Sequence, residues 1–545
     1  MIKKLLLGDE ALALGAIHAG LSGVYAYPGT PSTEITEYIQ ADPVARQRGV
    51  HSRWCTNEKT AMEAALGMSY AGKRALVCMK HVGMNVCADA FVNAAVTGVN
   101  GGVVVVAADD PSMHSSQNEQ DSRFYAKFAM VPVFEPSNQQ ETYDMMAEAF
   151  ALSERVGLPV VMRMVTRLAH SRAAVAVAEN AGAENALHLS EDRGWVLLPA
   201  IARRQYVKLI DKQAALVEAA EKSAYNRLEQ AAAAGSASAD ASAPEKSLTV
   251  VACGIAYNYV KEALQRGARA ASVLKVSQYP LPAELLRAVD AAGGKVLVVE
   301  DGQPVVEELL HAQLSDRCTV AGRLTGDLPR TGELTPDNVA AALGLPAPEG
   351  QPASDVLAAR PPQLCPGCGH RDVYTALNKV MEDYPEGRVF GDIGCYTLGA
   401  LPPFKTLASC VDMGASITMA KGAADAGVFP AVAVIGDSTF THSGMTGLLD
   451  AANENTPITV ILSDNLTTAM TGGQDSAGTS KFEAICIALG VPAEHVKVVV
   501  PLPANMEEIT RILREELNYK GVSVIIPRRE CMQTLRRHIA RSKNK

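Results

Sequence analysis

The stretch AVAVIGDSTFTHSGMTGLLDAANENTPITVILSDN, residues 431–465, decides the fold. Two short apolar runs, 431–435 and 458–462, are typical of β-strands buried on both faces. The 25 residues between Ser438 and Asp464 suffice for a turn, a helix over about 443–453 and a return strand. The stretch therefore predicts one parallel strand–helix–strand crossover. Similar apolar runs recur through the chain, beginning at Val103, Leu248, Val296 and Val522.

This alternation of apolar runs with helical patterns predicts an α/β protein of three doubly wound domains with mainly parallel sheets. Two compositional breaks divide the chain. Residues 231–247 are low in complexity and rich in small residues, and residues 346–363 are rich in Pro, Ala and Gly. We therefore expect domains over residues 1–180, 247–345 and 350–545, with a peripheral helical segment and flexible linker over 181–246.

Composition narrows the classes of function. The chain has 545 residues, is 48% hydrophobic and carries a formal net charge of −9 without a long basic run. This argues against nucleic acid as a partner. No uncharged apolar stretch is long enough for a membrane span, so we expect a cytoplasmic protein. The 11 cysteines predict no disulfide framework. Four of them lie in apolar or small-residue runs typical of packed core thiols: Cys78, Cys87, Cys253 and Cys486.

Polar side chains follow both strands of the opening stretch. Asp437 follows the first strand and Asn465 the second, and parallel strands bring their carboxyl ends to one edge of a sheet. A carboxylate and an amide oxygen suit Mg²⁺, which often shares its ligands with phosphates. Gly436 allows close backbone approach, and Ser438 and Thr439 offer donors to a diphosphate. The alternative, an ordinary Asp and Asn at strand ends, stays open.

The spacing of these residues resembles the motif that binds thiamine diphosphate (TPP), in which Gly-Asp-Gly is followed by Asn-Asn. Here Ser438 stands in place of the last glycine, and Asp464 stands in place of the first asparagine. By this resemblance, Asp437, Asn465 and the backbone carbonyl of Thr467 would hold Mg²⁺. Thr468 belongs to the same cofactor-binding set.

Thiamine chemistry also needs a carboxyl group at the pyrimidine N1′ of the cofactor. Glu58, at the start of an Ala-rich helical pattern, is the candidate, and Glu63 is a weaker one. A carboxylate also complements a helix N-terminus, so Glu58 alone would not establish the role. Three polar segments fit a cofactor cleft: the loop 27–34, a glycine-containing turn over 80–85 and the loop 109–120.

Nine ordered blocks carry a closer resemblance: YPGTPSTEI (27–35), NEKTAMEAA (57–65), KHVGMN (80–85), DDPSMHSSQNEQDSR (109–123), CPGCGHRD (365–372), GDIGCYTLGALPP (391–403), DMGASI (412–417), GDSTFTHSGM (436–445) and DNLTTAMTG (464–472). From Leu5 to about Cys531, except near 185–247, the chain resembles alpha subunits of indolepyruvate:ferredoxin oxidoreductases. The resemblance implies a pyrimidine-binding domain first, a transketolase C-terminal-like domain second and a diphosphate-binding domain last, with TPP spanning the first and last.

The resemblance also implies roles for particular residues. Glu58 matches the residue that binds N1′, and Met413, followed by Gly414, matches the residue that props the cofactor in a bent shape. Thr30 and His81 are candidates for contact with the substrate. His442, near the diphosphate motif, is either catalytic or structural.

The implied activity is oxidative decarboxylation of aryl pyruvates such as indolepyruvate. Coenzyme A would take the acyl group and ferredoxin the electrons. A smaller beta/gamma-type subunit and at least two copies of this chain would form a hetero-oligomer. Two alternatives stay open: a non-oxidative TPP-dependent decarboxylase or lyase, and a non-catalytic cofactor-binding subunit.

The pair Cys365-Pro-Gly-Cys368 is the most specific cysteine pattern. Such a pair alone fits a redox couple, half a zinc site or half an iron–sulfur site. With Cys395 and Cys531 it resembles the ligands of the [4Fe–4S] cluster nearest TPP in this family, with Cys410 as a rival ligand. Family alpha subunits typically continue into a ferredoxin-like domain, and the sequence to Lys545 has no such cysteine runs. Electrons are therefore expected to leave through another subunit, through an external ferredoxin that docks near the single cluster, or not at all.

Overall fold

The computed structural model describes residues 2–190, 193–231, 247–267, 269–346, 350, 352–358 and 360–543. The chain divides into two compact units, Met1–Pro352 and Ala353–Lys545. The flexible linker predicted over 231–247 lies almost wholly outside the described residues, and so does part of the boundary predicted over 346–363.

The first unit contains fourteen strands among its described residues: β1 (Ile2–Leu7), β2 (Gly23–Ala26), β3 (His51–Trp54), β4 (Ala75–Lys80), β5 (Val103–Asp109), β6 (Val133–Phe134), β7 (Val160–Val165), β8 (Arg172–Val177), β9 (Arg227–Glu229), β10 (Leu248–Cys253), β11 (Ser272–Val276), β12 (Gln278–Tyr279), β13 (Gly294–Val299) and β14 (Cys318–Ala321). Its α-helices are α1 (Gly8–His18), α2 (Thr33–Ala41), α3 (Pro43–Arg48), α4 (Glu58–Tyr70), α5 (His81–Thr97), α6 (Ser122–Ala129), α7 (Gln139–Val156), α8 (Thr166–Ala169), α9 (Pro199–Asp211), α10 (Gln213–Glu221), α11 (Ala256–Gly267), α12 (Ala283–Ala292), α13 (Val305–Gln313) and α14 (Pro336–Ala342).

These strands form three sheets. The largest has the order β12-β6-β7-β5-β4-β2-β3 and is parallel except for β12, which pairs antiparallel with β6. A five-stranded sheet has the order β14-β13-β10-β11-β9 and is parallel except for β9. Strands β1 and β8 form an antiparallel pair. Every residue of β5 and β7 is buried, as expected of parallel strands covered by helices on both faces.

The second unit has one parallel five-stranded sheet, ordered β15-β16-β17-β19-β18. Its strands are β15 (Arg388–Gly391), β16 (Ala431–Gly436), β17 (Ile458–Ser463), β18 (Val496–Val499) and β19 (Ser523–Pro527). Its α-helices are α15 (Gly369–Met381), α16 (Ala415–Asp425), α17 (Asp437–Thr439), α18 (Met445–Asn453), α19 (Phe482–Ala488), α20 (Met506–Leu517) and α21 (Met532–Lys543).

The structure confirms the predicted crossover. Strands β16 and β17 are parallel neighbours, in register from Ala431 opposite Ile458 to Gly436 opposite Ser463. The helix between them begins earlier than predicted, at Asp437, and passes through a π-helical turn, Phe440–Gly444, before α18. Gly444, at the end of this π-helical turn, packs closely on β16, because a side chain at this position would meet Ile435.

One local prediction was wrong. The segment 80–85 is not a turn, because α5 begins at His81 directly after β4. The helix carries glycine at position 83 because the Glu58 side chain occupies the space where a Cβ would lie. Close packing at this position outweighs the low helix propensity of glycine.

The cysteines are all free thiols, and the four predicted core thiols are buried. Among the described residues, no helix combines the length and apolar character needed to cross a membrane.

Candidate functional site

The two oxygens predicted to bind Mg²⁺ lie close together. Asp437 Oδ2 accepts the N–H of Thr467 at 3.1 Å, and Asn465 Oδ1 accepts the same N–H at 3.2 Å. Asp437 Oδ1 accepts the N–H of Ser438 at 2.6 Å. Burial, reinforced by the nearby Asp464 carboxylate, raises the pKa of Asp437 to about 7. A cation would relieve this penalty, so the donor set fits a hard divalent ion.

The backbone around this pair is tightly confined. A Cβ at Gly436 would meet the Tyr396 ring at 2.6 Å, so only glycine fits the end of β16. The Ser438 and Thr468 hydroxyls lie 2.9 Å apart and join the two strand ends. The Thr439 hydroxyl donates to the carbonyl of Ile393 at 2.9 Å, so its hydrogen is committed to the backbone. The Ser438 and Thr468 hydroxyls therefore remain the nearer candidates for a diphosphate.

Asp464, which departs from the thiamine motif, has a different partner. Its Oδ2 accepts from Arg528 Nε at 2.6 Å, and Arg528 also pairs with Glu483 at 2.7 Å. This ion-pair chain ties the end of β17 to the segment after β19. The departure from the motif thus leaves the convergence of Asp437 and Asn465 intact.

Asp392 is a residue that sequence reasoning missed. It is buried at the end of β15 and accepts from the Tyr396 hydroxyl, the Gly414 N–H and both the N–H and hydroxyl of Ser416. Burial raises its pKa to about 6. These bonds fix the segment that carries Met413, which is half-buried. The available signal was the dipeptide Gly-Asp after a strand, the same as at Asp437.

Two further predicted residues lie around this segment. Gly414 has φ +95°, and its Cβ would meet Ser443 at 2.7 Å, so conformation and space both require glycine. His442 is buried on the π-helical turn, with Nδ1 2.6 Å from the Ser443 hydroxyl. This hydrogen bond orients the imidazole ring beside the Gly414 contact.

The four predicted cluster cysteines line one cavity of about 180 Å³ in the second unit: Cys365, Cys368, Cys395 and Cys531. Burial and the neighbouring thiols raise the pKa of Cys368, and that of Cys395 to about 12. Among the described residues, no three of these sulfurs lie within 4.8 Å of one another, the spacing expected around one small ion. The rival Cys410 is exposed and is not in the described lining of this cavity.

Asn465 connects the cavity to the metal motif. Its backbone carbonyl accepts the N–H of Cys531 at 3.1 Å, while its side chain faces the Thr467 amide. Ser463, Asp464 and Asn465 all line the cysteine cavity. A group bound by the cysteines would therefore lie beside the strand end that carries the predicted Mg²⁺ ligand.

In the first unit, Glu58 is the first residue of α4 and is 5% exposed. Asn57 caps the helix by accepting the Thr60 N–H at 2.9 Å. A Cβ at Gly83 would lie 2.7 Å from Glu58 Oε1, so the carboxyl group packs against the start of α5. Glu63, the weaker candidate, is about half exposed and pairs with Lys59.

The three polar segments predicted around a cleft meet in the first unit. A Cβ at Gly29, beside Thr30, would lie 3.1 Å from the Lys80 Cβ, so these two segments pack closely. Lys80 Nζ donates to the Ser115 carbonyl at 2.6 Å. Burial lowers the Lys80 pKa to about 8. Buried His81 lies with Nε2 3.2 Å from the Asn118 carbonyl, and burial lowers its pKa, so the ring is neutral at pH 7.

Comparison with known proteins decides the family. The subunit IorA of indolepyruvate oxidoreductase from Archaeoglobus fulgidus is 38% identical over 561 residues, covering 97% of this chain and 86% of that protein. The chain belongs to the IorA family. IorA from Methanothermobacter thermautotrophicus is likewise 38% identical, with 97% and 87% of the two chains covered.

Two protein-family models match parts of this IorA-family chain. The thiamine diphosphate-binding model of pyruvate flavodoxin/ferredoxin oxidoreductases matches residues 14–197, and the C-terminal TPP-binding domain of thiamine pyrophosphate enzymes matches residues 392–526. A structure of 2-oxoglutarate:ferredoxin oxidoreductase from Magnetococcus marinus aligns with 63% of this chain and 65% of that one, at TM-score 0.49 and 18% identity. The relatives and the two domain matches confirm the predicted oxidoreductase family and its TPP-binding domains, and the sheets described above confirm the α/β fold.

Proposed function

We propose that this chain is the catalytic subunit of an indolepyruvate-type 2-oxo acid:ferredoxin oxidoreductase. One aryl pyruvate and one coenzyme A would give acyl-CoA and CO₂, with two electrons passing singly to two ferredoxins and one proton released. The observation that carries the proposal is the convergence of Asp437 and Asn465 on the Thr467 amide, inside the matched TPP-binding domain. The same relatives support indolepyruvate as the substrate type, since they are indolepyruvate oxidoreductase subunits.

At the diphosphate end, Asp437, Asn465 and the Thr467 carbonyl would hold Mg²⁺. The donor set fits, because two side-chain oxygens of the kind that Mg²⁺ prefers already accept the same Thr467 N–H. Gly436, Ser438, Thr439 and Thr468 would surround the diphosphate, and Met413 and Gly414 would support the thiazolium ring. The tight backbone at Gly436 is consistent with close approach to a phosphate.

At the pyrimidine end, Glu58 would share a proton with N1′ of the cofactor. When bound, TPP supplies the electron sink that decarboxylation of a 2-oxo acid requires. Glu58 suits this role because it is buried at a helix start, where the backbone dipole favours a carboxylate. Its packing against Gly83 excludes water from one side of the carboxyl group.

Thr30 and His81 are proposed to contact the substrate. His81 is neutral at pH 7, so it can donate a hydrogen bond to a carbonyl oxygen without adding charge. Lys80, with a pKa of about 8, stays mainly protonated at pH 7 and provides positive charge for an anionic 2-oxo acid. The hydrogen bond from Lys80 to Ser115 keeps this charge near the loop after β5.

The four cavity cysteines are proposed to hold a [4Fe–4S] cluster, which accepts electrons one at a time. A zinc ion is less well supported, because a tetrahedral ion needs its thiolates closer together than these sulfurs lie. The smaller beta/gamma-type subunit, ferredoxin and coenzyme A complete the proposed assembly. The predicted cytoplasmic location stays a prediction.

The test is anaerobic turnover of the assembled enzyme with a panel of 2-oxo acids, with and without coenzyme A and ferredoxin. Glu58→Gln should lower turnover by about 10²- to 10⁴-fold, the range typical of a positioned acid–base group. Glu63→Gln, on the exposed face of the same helix, is the matched control and should retain wild-type turnover. Full activity in Glu58→Gln would instead favour a non-catalytic cofactor-binding subunit.

Iron content distinguishes the proposed oxidoreductase from the remaining alternative, a non-oxidative decarboxylase or lyase. Protein purified without oxygen should be brown and contain cluster iron, and replacing Cys531 with Ser should remove it, whereas Cys410→Ser should not. A colourless wild-type protein that releases aldehyde without ferredoxin would favour the non-oxidative decarboxylase or lyase.

A further inference from the structure

A second group of ligating side chains lies in the first unit, apart from the residues assigned above. Asp9, Glu34 and His170 each offer one ligand atom, and the three atoms all lie within 4.8 Å of one another. Asp9 is fully buried, whereas the Glu34 and His170 side chains are about one-third exposed. The group thus has one buried ligand and two ligands that reach the surface.

The fold brings these distant residues together through a glycine. A Cβ at Gly8 would lie 2.2 Å from the Leu168 carbonyl, so only glycine allows the start of α1 to touch the end of α8. The Gly8 N–H also donates to the Ser171 carbonyl at 3.2 Å. Asp9 follows in the first turn of α1, and His170 directly follows α8. Glu34, in the first turn of α2, completes the group because α1 packs against α2.

Asp9 is the decisive residue. Neither of its carboxylate oxygens has a hydrogen-bond partner among the described residues, and Glu34 Oε2 also lacks one. A buried carboxylate without donors is strongly destabilising in its ionised form unless a cation compensates it. Capping of α1 does not explain Asp9, because the neighbouring Glu10 performs it by accepting the Leu7 N–H at 2.8 Å.

An ion pair within the group does not explain it either. His170 Nε2 lies 3.6 Å from Glu34 Oε1, and this contact accounts for only one oxygen of Glu34. The two oxygens of Asp9 and the second oxygen of Glu34 still have no hydrogen-bond partner among the described residues. Two carboxylates and one imidazole with free oxygen atoms form a ligand set for a divalent ion.

We propose that Asp9, Glu34 and His170 form a divalent cation site, best suited to Zn²⁺. Imidazole together with carboxylates favours Zn²⁺ over Mg²⁺, which prefers oxygen ligands alone. Three protein ligands leave a fourth tetrahedral position, and the exposed side of Glu34 and His170 gives water access to it.

The site has a structural consequence. Glu34 belongs to the helix that begins three residues after Thr30, and the intervening loop is closed by the Ser32 hydroxyl bonding to the Gly29 carbonyl at 2.7 Å. A cation would fix the start of α2 to α1 and to the end of α8. It would thereby hold the loop that carries Thr30.

The test measures Zn²⁺ bound to the full chain after chelator treatment, at micromolar free Zn²⁺. Other thiols also bind zinc, so the readout is the difference in bound equivalents between variants. Asp9→Asn and His170→Gln should each bind one equivalent less than wild type. His311→Gln, which alters a half-exposed histidine 4.0 Å from Glu307, is the matched control and should bind as wild type does.

Diffraction at the zinc absorption edge from wild-type crystals grown with Zn²⁺ needs no variant. It should show an anomalous peak between Asp9, Glu34 and His170. Equal zinc content in all four proteins, or absence of the peak at this position, would overturn the proposal, and either result would leave the proposed enzymatic function untouched.

Discussion

The dipeptide Gly-Asp follows a strand directly at three places, and the three carboxylates have different surroundings. The first aspartate, Asp9, lies just after β1, whereas Asp392 and Asp437 directly follow β15 and β16. All three are buried, and burial is the main cause that raises the pKa of each. Asp392 accepts four hydrogen bonds, Asp437 accepts the N–H groups of Ser438 and Thr467, and Asp9 accepts none among the described residues.

The position of each carboxylate and its role have different causes. Glycine before the aspartate allows close packing at the strand end in each case, so the dipeptide places a carboxylate there. The neighbouring donors decide what the carboxylate does. Asp392 is saturated and holds its own backbone, Asp437 is partly satisfied and suits a shared cation, and Asp9 is the carboxylate that the proposed Zn²⁺ would compensate.

The largest expected effect is at Asp437. Asp437→Asn keeps the shape but removes the charge, so Mg²⁺-dependent TPP binding should weaken at least about 100-fold, or ~2.7 kcal/mol. Isothermal titration of TPP into the full chain with Mg²⁺ measures this. Asp475→Asn, at an exposed acid on the following loop, is the charge-matched control. Equal affinity in the two variants would remove Asp437 from the metal site.

The next effect is at Asp392. Asp392→Asn replaces one accepting oxygen by a donor, which leaves the Gly414 and Ser416 groups without an acceptor. The free energy of unfolding of the second unit should fall by about 2 kcal/mol. Urea denaturation followed by circular dichroism measures the loss, with exposed Asp383→Asn as control. A loss no greater than in the control would contradict the positioning role of Asp392.

The pH dependence of Mg²⁺ binding should sharpen the contrast at Asp437. With a pKa of about 7, the metal-free carboxyl holds a proton below that pH, and the metal must displace it. Proton occupancy falls as pH rises, so Mg²⁺ affinity should increase about 10-fold from pH 6 to pH 8, or ~1.4 kcal/mol. Mg²⁺ titrations across this range measure the slope. A flat profile in wild type would show that Asp437 does not compete with protons.

The smallest expected effect is at Asp9 without metal. Its pKa in the folded state is raised well above the usual value, so the folded protein loses stability as pH rises above about 4, where the unfolded residue ionises. Asp9→Asn removes this loss and should raise the free energy of unfolding by about 1 kcal/mol at pH 8. Added Zn²⁺ should stabilise wild type more than it stabilises Asp9→Asn. Thermal unfolding with and without Zn²⁺ measures both, and equal Zn²⁺ stabilisation of the variant would contradict the cation site.

Much of the fold follows from local sequence. The apolar runs at Val103, Leu248, Val296 and Val522 and the two in residues 431–465 all lie at strands, because parallel strands buried on both faces need continuous apolar residues. The segment 80–85 was mistaken for a turn, since glycine and polar residues suggest one. The contact that permits a helix there comes from Glu58, which lies well upstream.

The site was predictable where its residues follow neighbouring strands. Asp437 and Asn465 lie on one crossover, so their spacing alone places them together. The partners of Asp392 come from two segments, the turn at Tyr396 and the start of α16, and the group around Asp9 joins both ends of the first domain. Such convergence depends on tertiary packing and leaves no periodic pattern in the sequence.

One hydrogen bond connects the cysteine cavity of the second unit with the predicted Mg²⁺ site. The Asn465 carbonyl holds the main chain of Cys531, and the same residue turns its amide oxygen toward Asp437. Damage by oxygen that releases Cys531 would therefore also disturb the residue that anchors the pyrophosphate end. If the proposed iron–sulfur cluster and TPP occupy these sites, air inactivation should remove iron and the vitamin-derived cofactor on one time course, and ageing of a preparation would be read equally well from either.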